Sequence, residues 1–243
     1  EVTDELKRLI KEFEKELAIL KGRVDGLEAR VGELEATQFS TTTKLKGQVT
    51  FVMGASTAGG SESSFNDAYN QDLGAFTFNY DYRLELLTSF TGKDLLKTRL
   101  RAGNFGNSVF GTGLTAMEVA FEESSGANSV GIDRLFYQFP VGEDFTVTAG
   151  GRVRQDDMLA VWPSAYPSDT ILDFFTYAGA PGAYNLTLGS GAGVWWQKDG
   201  FSISANYVSA NGNLSSSEKG VGGGIATDAA ASNGTVQLAY AND

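Results

Sequence analysis

The run Phe76-Thr77-Phe78-Asn79-Tyr80-Asp81-Tyr82-Arg83-Leu84-Glu85-Leu86 alternates apolar and polar residues without a break. Successive side chains of a β-strand point to opposite faces, so this run makes a strand with one apolar and one polar side. Over 74–90 the pattern is longer than a soluble strand of five or six residues needs. The same alternation recurs at 45–53, 95–103, 114–122, 131–139, 145–154, 185–197, 201–209 and 235–241. The expected fold of this part is therefore all-β and antiparallel, with about nine strands. A soluble sandwich would also alternate. Two features favour a wall between lipid and water. The polar face carries long cationic side chains, and Tyr, Phe and Trp gather near strand ends, where membrane barrels keep aromatic girdles.

Thr91-Gly92-Lys93-Asp94, Pro140-Val141-Gly142-Glu143-Asp144 and Lys198-Asp199-Gly200 read as tight turns. Longer links are expected at 54–73, 104–113, 155–184 and 210–234. Five strands fall between the links at 54–73 and 155–184. Two links on one side of a sheet require an even number, so one of the five strands is spurious or 155–184 is no ordinary outer loop.

The first forty residues are a different material. Leu6, Ile10, Phe13, Leu17, Leu20, Val24, Leu27, Val31 and Leu34 are spaced alternately four and three apart. That spacing is the apolar seam of a coiled coil. With Leu6 at d, Glu16, Arg23 and Arg30 take g positions. They face Lys21, Glu28 and Glu35, the e residues of a neighbouring chain, and every pair is opposite in sign. Parallel, in-register helices satisfy that requirement. Arg stems at g also cover the seam while their guanidiniums grip the Glu carboxylates. The expectation is a parallel trimeric coiled-coil stalk over 1–40, joined to a β domain over 41–243.

Composition excludes several function classes. Net charge is −11, so no basic stripe replaces phosphate counterions, and nucleic acid is not an expected partner. Cys and His are both absent, which removes disulfides, thiolate metal sites and the usual general base. No apolar run is long enough for a transmembrane helix, a fact that leaves a barrel open. Glycine runs at 111–116 and 189–193 do not open a helix of a βαβ unit, so they are turn or strand glycines. No nucleophile–base pair is readable. The chain is expected to be no enzyme and to bind no cofactor or metal.

Four segments carry a family resemblance. Leu27–Leu45 (LEARVGELEATQFSTTTKL), Arg99–Gly111 (RLRAGNFGNSVFG), Arg134–Asp144 (RLFYQFPVGED) and Arg152–Pro163 (RVRQDDMLAVWP) resemble cyanobacterial outer-membrane porins. Those porins are related to the carbohydrate-selective porin family and are often called iron-uptake porins. The resemblance implies a transmembrane β-barrel in the outer membrane that passes small hydrophilic solutes and inorganic ions. It implies a homotrimer whose stalk stands in the periplasm. The family also carries an S-layer-homology domain that grips peptidoglycan and a barrel with more strands, so the chain is expected to be a portion of a longer polypeptide. A trimeric adhesive or structural surface fibre with a soluble β domain is the alternative.

In a barrel the polar parity faces the lumen. Lys97, Arg99, Arg101, Arg134, Arg152 and Arg154 fall on that parity and are the candidate pore-lining and selectivity residues, expected to favour anions. The link 155–184 offers Asp156, Asp157, Asp169 and Asp173 as a constriction facing them. The bland alternative is a wide lumen whose charges are merely solvated. In the stalk, Leu20, Arg23, Val24, Leu27, Glu28, Arg30, Val31, Leu34 and Glu35 are expected to hold the trimer together.

Overall fold

A computed structural model describes residues 2–37, 42–113, 115, 117–169, 171–172, 180 and 183–241. The chain divides into two compact units, Glu1–Thr43 and Lys44–Asp243. The first is one helix, α1 (Val2–Thr37), unbroken through Gly22, Gly26 and Gly32. Each of these glycines costs about 1 kcal/mol against alanine in a helix interior. In the single chain that ladder is bare. Leu6, Ile10, Phe13, Leu17, Leu20, Val24, Leu27 and Val31 are all exposed. The side chains of Leu34 and Glu35 lie outside the described residues.

The second unit is one sheet of eight strands in consecutive order. They are β1 (Thr43–Gly54), β2 (Thr77–Thr88), β3 (Leu95–Gly103), β4 (Gly131–Val141), β5 (Phe145–Arg154), β6 (Leu188–Lys198), β7 (Phe201–Ser209) and β8 (Ser232–Tyr240). The sheet is an open wall with β1 and β8 as its edges and does not close into a barrel. Short turns join β2 to β3, β4 to β5 and β6 to β7, and the long links all fall at the opposite end. The turn Asp199-Gly200 is the tightest: Lys198 pairs with Phe201, and both turn residues have positive φ, 50° and 81°. Only a primed two-residue turn matches the twist of the flanking strands, and Asp-Gly tolerates its dihedrals. In the first long link a second helix, α2 (Ser63–Leu73), was not foreseen.

Among the described residues no strand forms within 114–122. Residues 118 and 119 form a turn and 120–122 are irregular, with a single bridge from Met117 to Leu172. Their alternation has another cause, because the segment folds back over the polar face of the sheet. Val119 is buried, Glu118 reaches Arg154, and the Phe121 ring lies 4.2 Å from the Arg101 guanidinium. With 114–122 removed, four strands separate the first and third long links, and the even count is restored.

The polarity of the sheet is inverted relative to a soluble domain. Phe51, Phe78, Leu135, Phe145, Val194, Ile203, Val236 and Leu238 are exposed on one face. The other face buries Asn79, Asp81, Arg83, Arg99, Arg101, Arg134, Thr148, Ser202, Ser204 and Gln237. A soluble sandwich does the reverse, since burying apolar surface is what drives it together. Among the described residues the cluster of buried apolar side chains is small: Phe136, Val153, Met158 and Val208.

Candidate functional site

The polar face is a continuous field of ion pairs. It exists because strand register places like charges side by side. Arg83 lies directly opposite Arg101, and Arg99 directly opposite Arg134. Adjacent like charges on one face are destabilising unless carboxylates stand between them. Asp81 supplies one, accepting from Arg101 Nε at 2.7 Å, from Arg101 Nη2 at 3.0 Å and from Arg83 Nε at 2.8 Å. Glu85 accepts from Arg99 Nε at 2.8 Å and approaches Lys97 Nζ at 3.1 Å. Asp133 reaches both Arg134 (3.0 Å) and Arg99 (3.4 Å).

Asp133 is available through a β-bulge. Arg99 pairs with Arg134 and Leu100 with Ile132, so Asp133 is the extra residue on β4 and both it and Arg134 are buried. Strict alternation would have sent it outward.

The remaining carboxylates come from the long link after β5. Its first residues make a short 3₁₀ turn, Gln155–Met158, laid against the polar face. Asp156 accepts from Arg154 Nε (2.5 Å) and Nη2 (2.8 Å), and Ser168 donates a short hydrogen bond to it. Asp157 accepts from Arg134 Nε at 2.7 Å. Asp169 lies nearest the centre of the cluster, with Arg99 Nη1 at 2.8 Å, Arg154 Nη2 at 3.0 Å and Arg83 Nη1 at 3.6 Å. Burial alone would raise its carboxyl. Arg154, Arg99, Arg83 and Arg134 outweigh burial and hold it well below the usual carboxylate range.

The same link runs on across the far strands. Gln155 donates to Thr235 Oγ1 at 2.6 Å, and Asn206 donates to the Gln155 carbonyl at 3.2 Å. The Ala160 amide donates to Ser204 Oγ at 2.9 Å. Gln237 donates to the Val161 carbonyl at 2.9 Å and to the Tyr184 hydroxyl at 3.1 Å. Residues 155–169 thus form a strap over the polar face, touching β2 and β3 at one end of their span and β8 at the other.

Five of the six cations expected from the sequence lie in this field: Lys97, Arg99, Arg101, Arg134 and Arg154. Arg152 does not. Gly151 is an extra residue between the pairs Leu135–Arg152 and Phe136–Gly150, and the bulge turns Arg152 to the face of exposed Leu135. Val153, expected on the apolar face, is buried inside instead. Of the expected acids, Asp156, Asp157 and Asp169 meet the cations, and Asp173 lies outside the described residues. Sequence reasoning did not single out Asp81, Arg83, Glu85, Glu118 and Asp133. The first three were signalled by their polar parity in 76–86.

Counting the ion-paired groups of the polar face among the described residues, six cations (Arg83, Lys97, Arg99, Arg101, Arg134, Arg154) meet seven carboxylates (Asp81, Glu85, Glu118, Asp133, Asp156, Asp157, Asp169). The positive wall drawn from the strands alone is nearly neutralised.

An outward apolar face, a charged opposite face and a link folded across it make an arrangement suited to a wall between lipid and water. Residues 3–170 match the carbohydrate-selective porin, OprB family, and the chain belongs to that family. An uncharacterized protein of Nostoc sp. is 44% identical over 163 residues, 60% of this chain and 26% of its own length. An uncharacterized protein of Synechocystis sp. is 35% identical over 216 residues, 86% of this chain and 38% of its own length. The chain therefore spans well under half the length of these curated relatives. No solved structure matches it.

Proposed function

We propose that this chain builds one side of an outer-membrane pore through which small hydrophilic solutes and inorganic ions pass down their gradients. The inverted sheet carries the reading: its apolar face suits lipid, and its polar face suits an aqueous lumen. The strap 155–169 is the narrow place, with Asp156, Asp157 and Asp169 opposite Arg99, Arg134 and Arg154. Because its charges are paired, this stretch of wall favours uncharged polar solutes, in keeping with a carbohydrate-selective family. Closure into a barrel would pair the open edges β1 and β8 with further strands, and the curated relatives are longer than this chain. Reconstituted at full natural length, the protein is expected to give ohmic current steps in planar bilayers and to admit sugars in liposome swelling. Absence of both activities, together with solubility without detergent, would refute the channel reading and favour a surface fibre.

Helix α1 is read as a parallel homotrimeric stalk on the periplasmic side, directed toward peptidoglycan through a domain outside this chain. The exposed ladder and the opposite-signed g and e residues support it. Replacing Leu20, Leu27 and Leu34 by Asp is expected to abolish association of the stalk, read by analytical ultracentrifugation of an α1 peptide. An unmodified peptide that sediments as a monomer at high micromolar concentration would remove the trimer.

A further inference from the structure

Where β1, β2 and β3 lie side by side, the polar face keeps a cavity of about 360 Å³. That size lies within the range of small-ligand sites, roughly 300–1,000 Å³. Lys46, Gln48, Arg83, Glu85, Lys97 and Arg99 line it. Its charge differs from the rest of the field, with four cations against one carboxylate. Glu85 is already shared between Lys97 and Arg99. The other carboxylates that hold Arg83 and Arg99, namely Asp81, Asp133 and Asp169, are not in the lining. Lys46 is exposed and has no ion pair among the described residues.

Arg83 and Arg99 stand in the lining as fixed positive charges, since guanidinium groups do not deprotonate near neutral pH. An oxyanion with two or three acceptor oxygens suits a cavity built from a guanidinium fork and two ammonium groups. Gln48 adds an amide able to meet a hydroxyl.

We infer that this cavity is a binding subsite for a phosphate or carboxylate oxyanion, carried on a small polyol or free. The inference rests on the channel reading and refines it: within a largely neutralised wall, one stretch retains solutes bearing an acidic group.

The test uses the full-length protein in planar bilayers at low salt, with glucose 6-phosphate, inorganic phosphate and glucose added in turn. Glucose 6-phosphate is expected to interrupt the current about tenfold more tightly than glucose, the scale of an added charged contact. That preference is expected to fall in Lys46→Gln and to vanish in Lys46→Gln/Lys97→Gln. The single variant guards against misfolding, because Lys46 makes no ion pair to lose. Lys93→Gln, in the β2–β3 turn, is expected to keep the preference. Block by inorganic phosphate as strong as by the sugar phosphate assigns the subsite to the free oxyanion. Equal block by glucose and glucose 6-phosphate, or a preference that survives the double variant, overturns the inference while leaving the channel standing. Absence of any current step overturns both.

Discussion

Replacement of Asp169 by alanine is expected to raise single-channel conductance and lower stability together. Arg83, Arg99 and Arg154 converge on this one carboxylate from β2, β3 and β5. Removing it leaves three closely spaced guanidiniums without their shared counter-charge. Losing one partner of a fully buried pair costs about 3–5 kcal/mol. The Asp169 side chain is 23% exposed, which reduces the expected cost to about 2–4 kcal/mol. The strap also loses its tie to β2 and β3, so the lumen beside it opens. Asp169→Asn separates the two effects, since it keeps the shape and removes the charge. Unchanged conductance and unchanged thermal unfolding in Asp169→Ala would deny the strap its role as the constriction. Acid does not substitute for the mutation. A carboxyl held below its unfolded value of about 3.9 contributes its full stability above that pH and loses it only as pH falls through the lower, folded value. Mild acidification is therefore expected to leave the ion pairs of Asp169 in place.

Arginine at Val194 is expected to block membrane insertion, whereas arginine at Phe78 is expected to be tolerated. Register sets the difference. Val147 pairs with Val194, Val194 with Ala205 and Ala205 with Val236, a row of small and β-branched residues across four strands. The row crosses the middle of β6, and Val194 and Val236 are exposed on the apolar face. A charge at bilayer mid-height costs about 2–4 kcal/mol on the lipid face and roughly 0–1 kcal/mol near the interface. Phe78 is the second residue of β2, beside the Phe51 ring at 5.5 Å, and belongs to the interfacial rim. Folding into lipid vesicles, followed by heat-dependent gel mobility, measures both variants. Equal tolerance at the two positions would place the apolar face away from lipid.

Most strands were legible because a two-residue period survives any tertiary context that keeps one face dry. Residues 76–86 and the Asp199-Gly200 turn needed nothing further. The pattern was blind to bulges. One extra residue, Asp133 on β4 or Gly151 on β5, reverses parity for everything beyond it, and neither is marked by composition. For that reason Arg152 was expected inside and Val153 outside. The false strand at 114–122 arose from the same weakness. Phe121 and Glu118, on opposite parities, reach Arg101 and Arg154 of the sheet, so its alternation does not mark the two faces of a strand. The acids of 155–169 were visible as charges facing a cationic wall. Their individual partners were not, because each depends on strands far away along the chain.

Those long separations govern the order of assembly. Asp169 finds Arg99 across 70 residues, Gln237 finds Val161 across 76, and Gln155 finds Thr235 across 80. Hairpins with two- or three-residue turns, such as β6–β7 and β4–β5, close early because their loop entropy is small. The strap has no complete docking surface until β2, β3, β5, β7 and β8 already stand side by side. Until then its arginine partners face one another without Asp169 between them. The strap is consequently expected to be the last part of this wall to dock, after the strands that carry its partners.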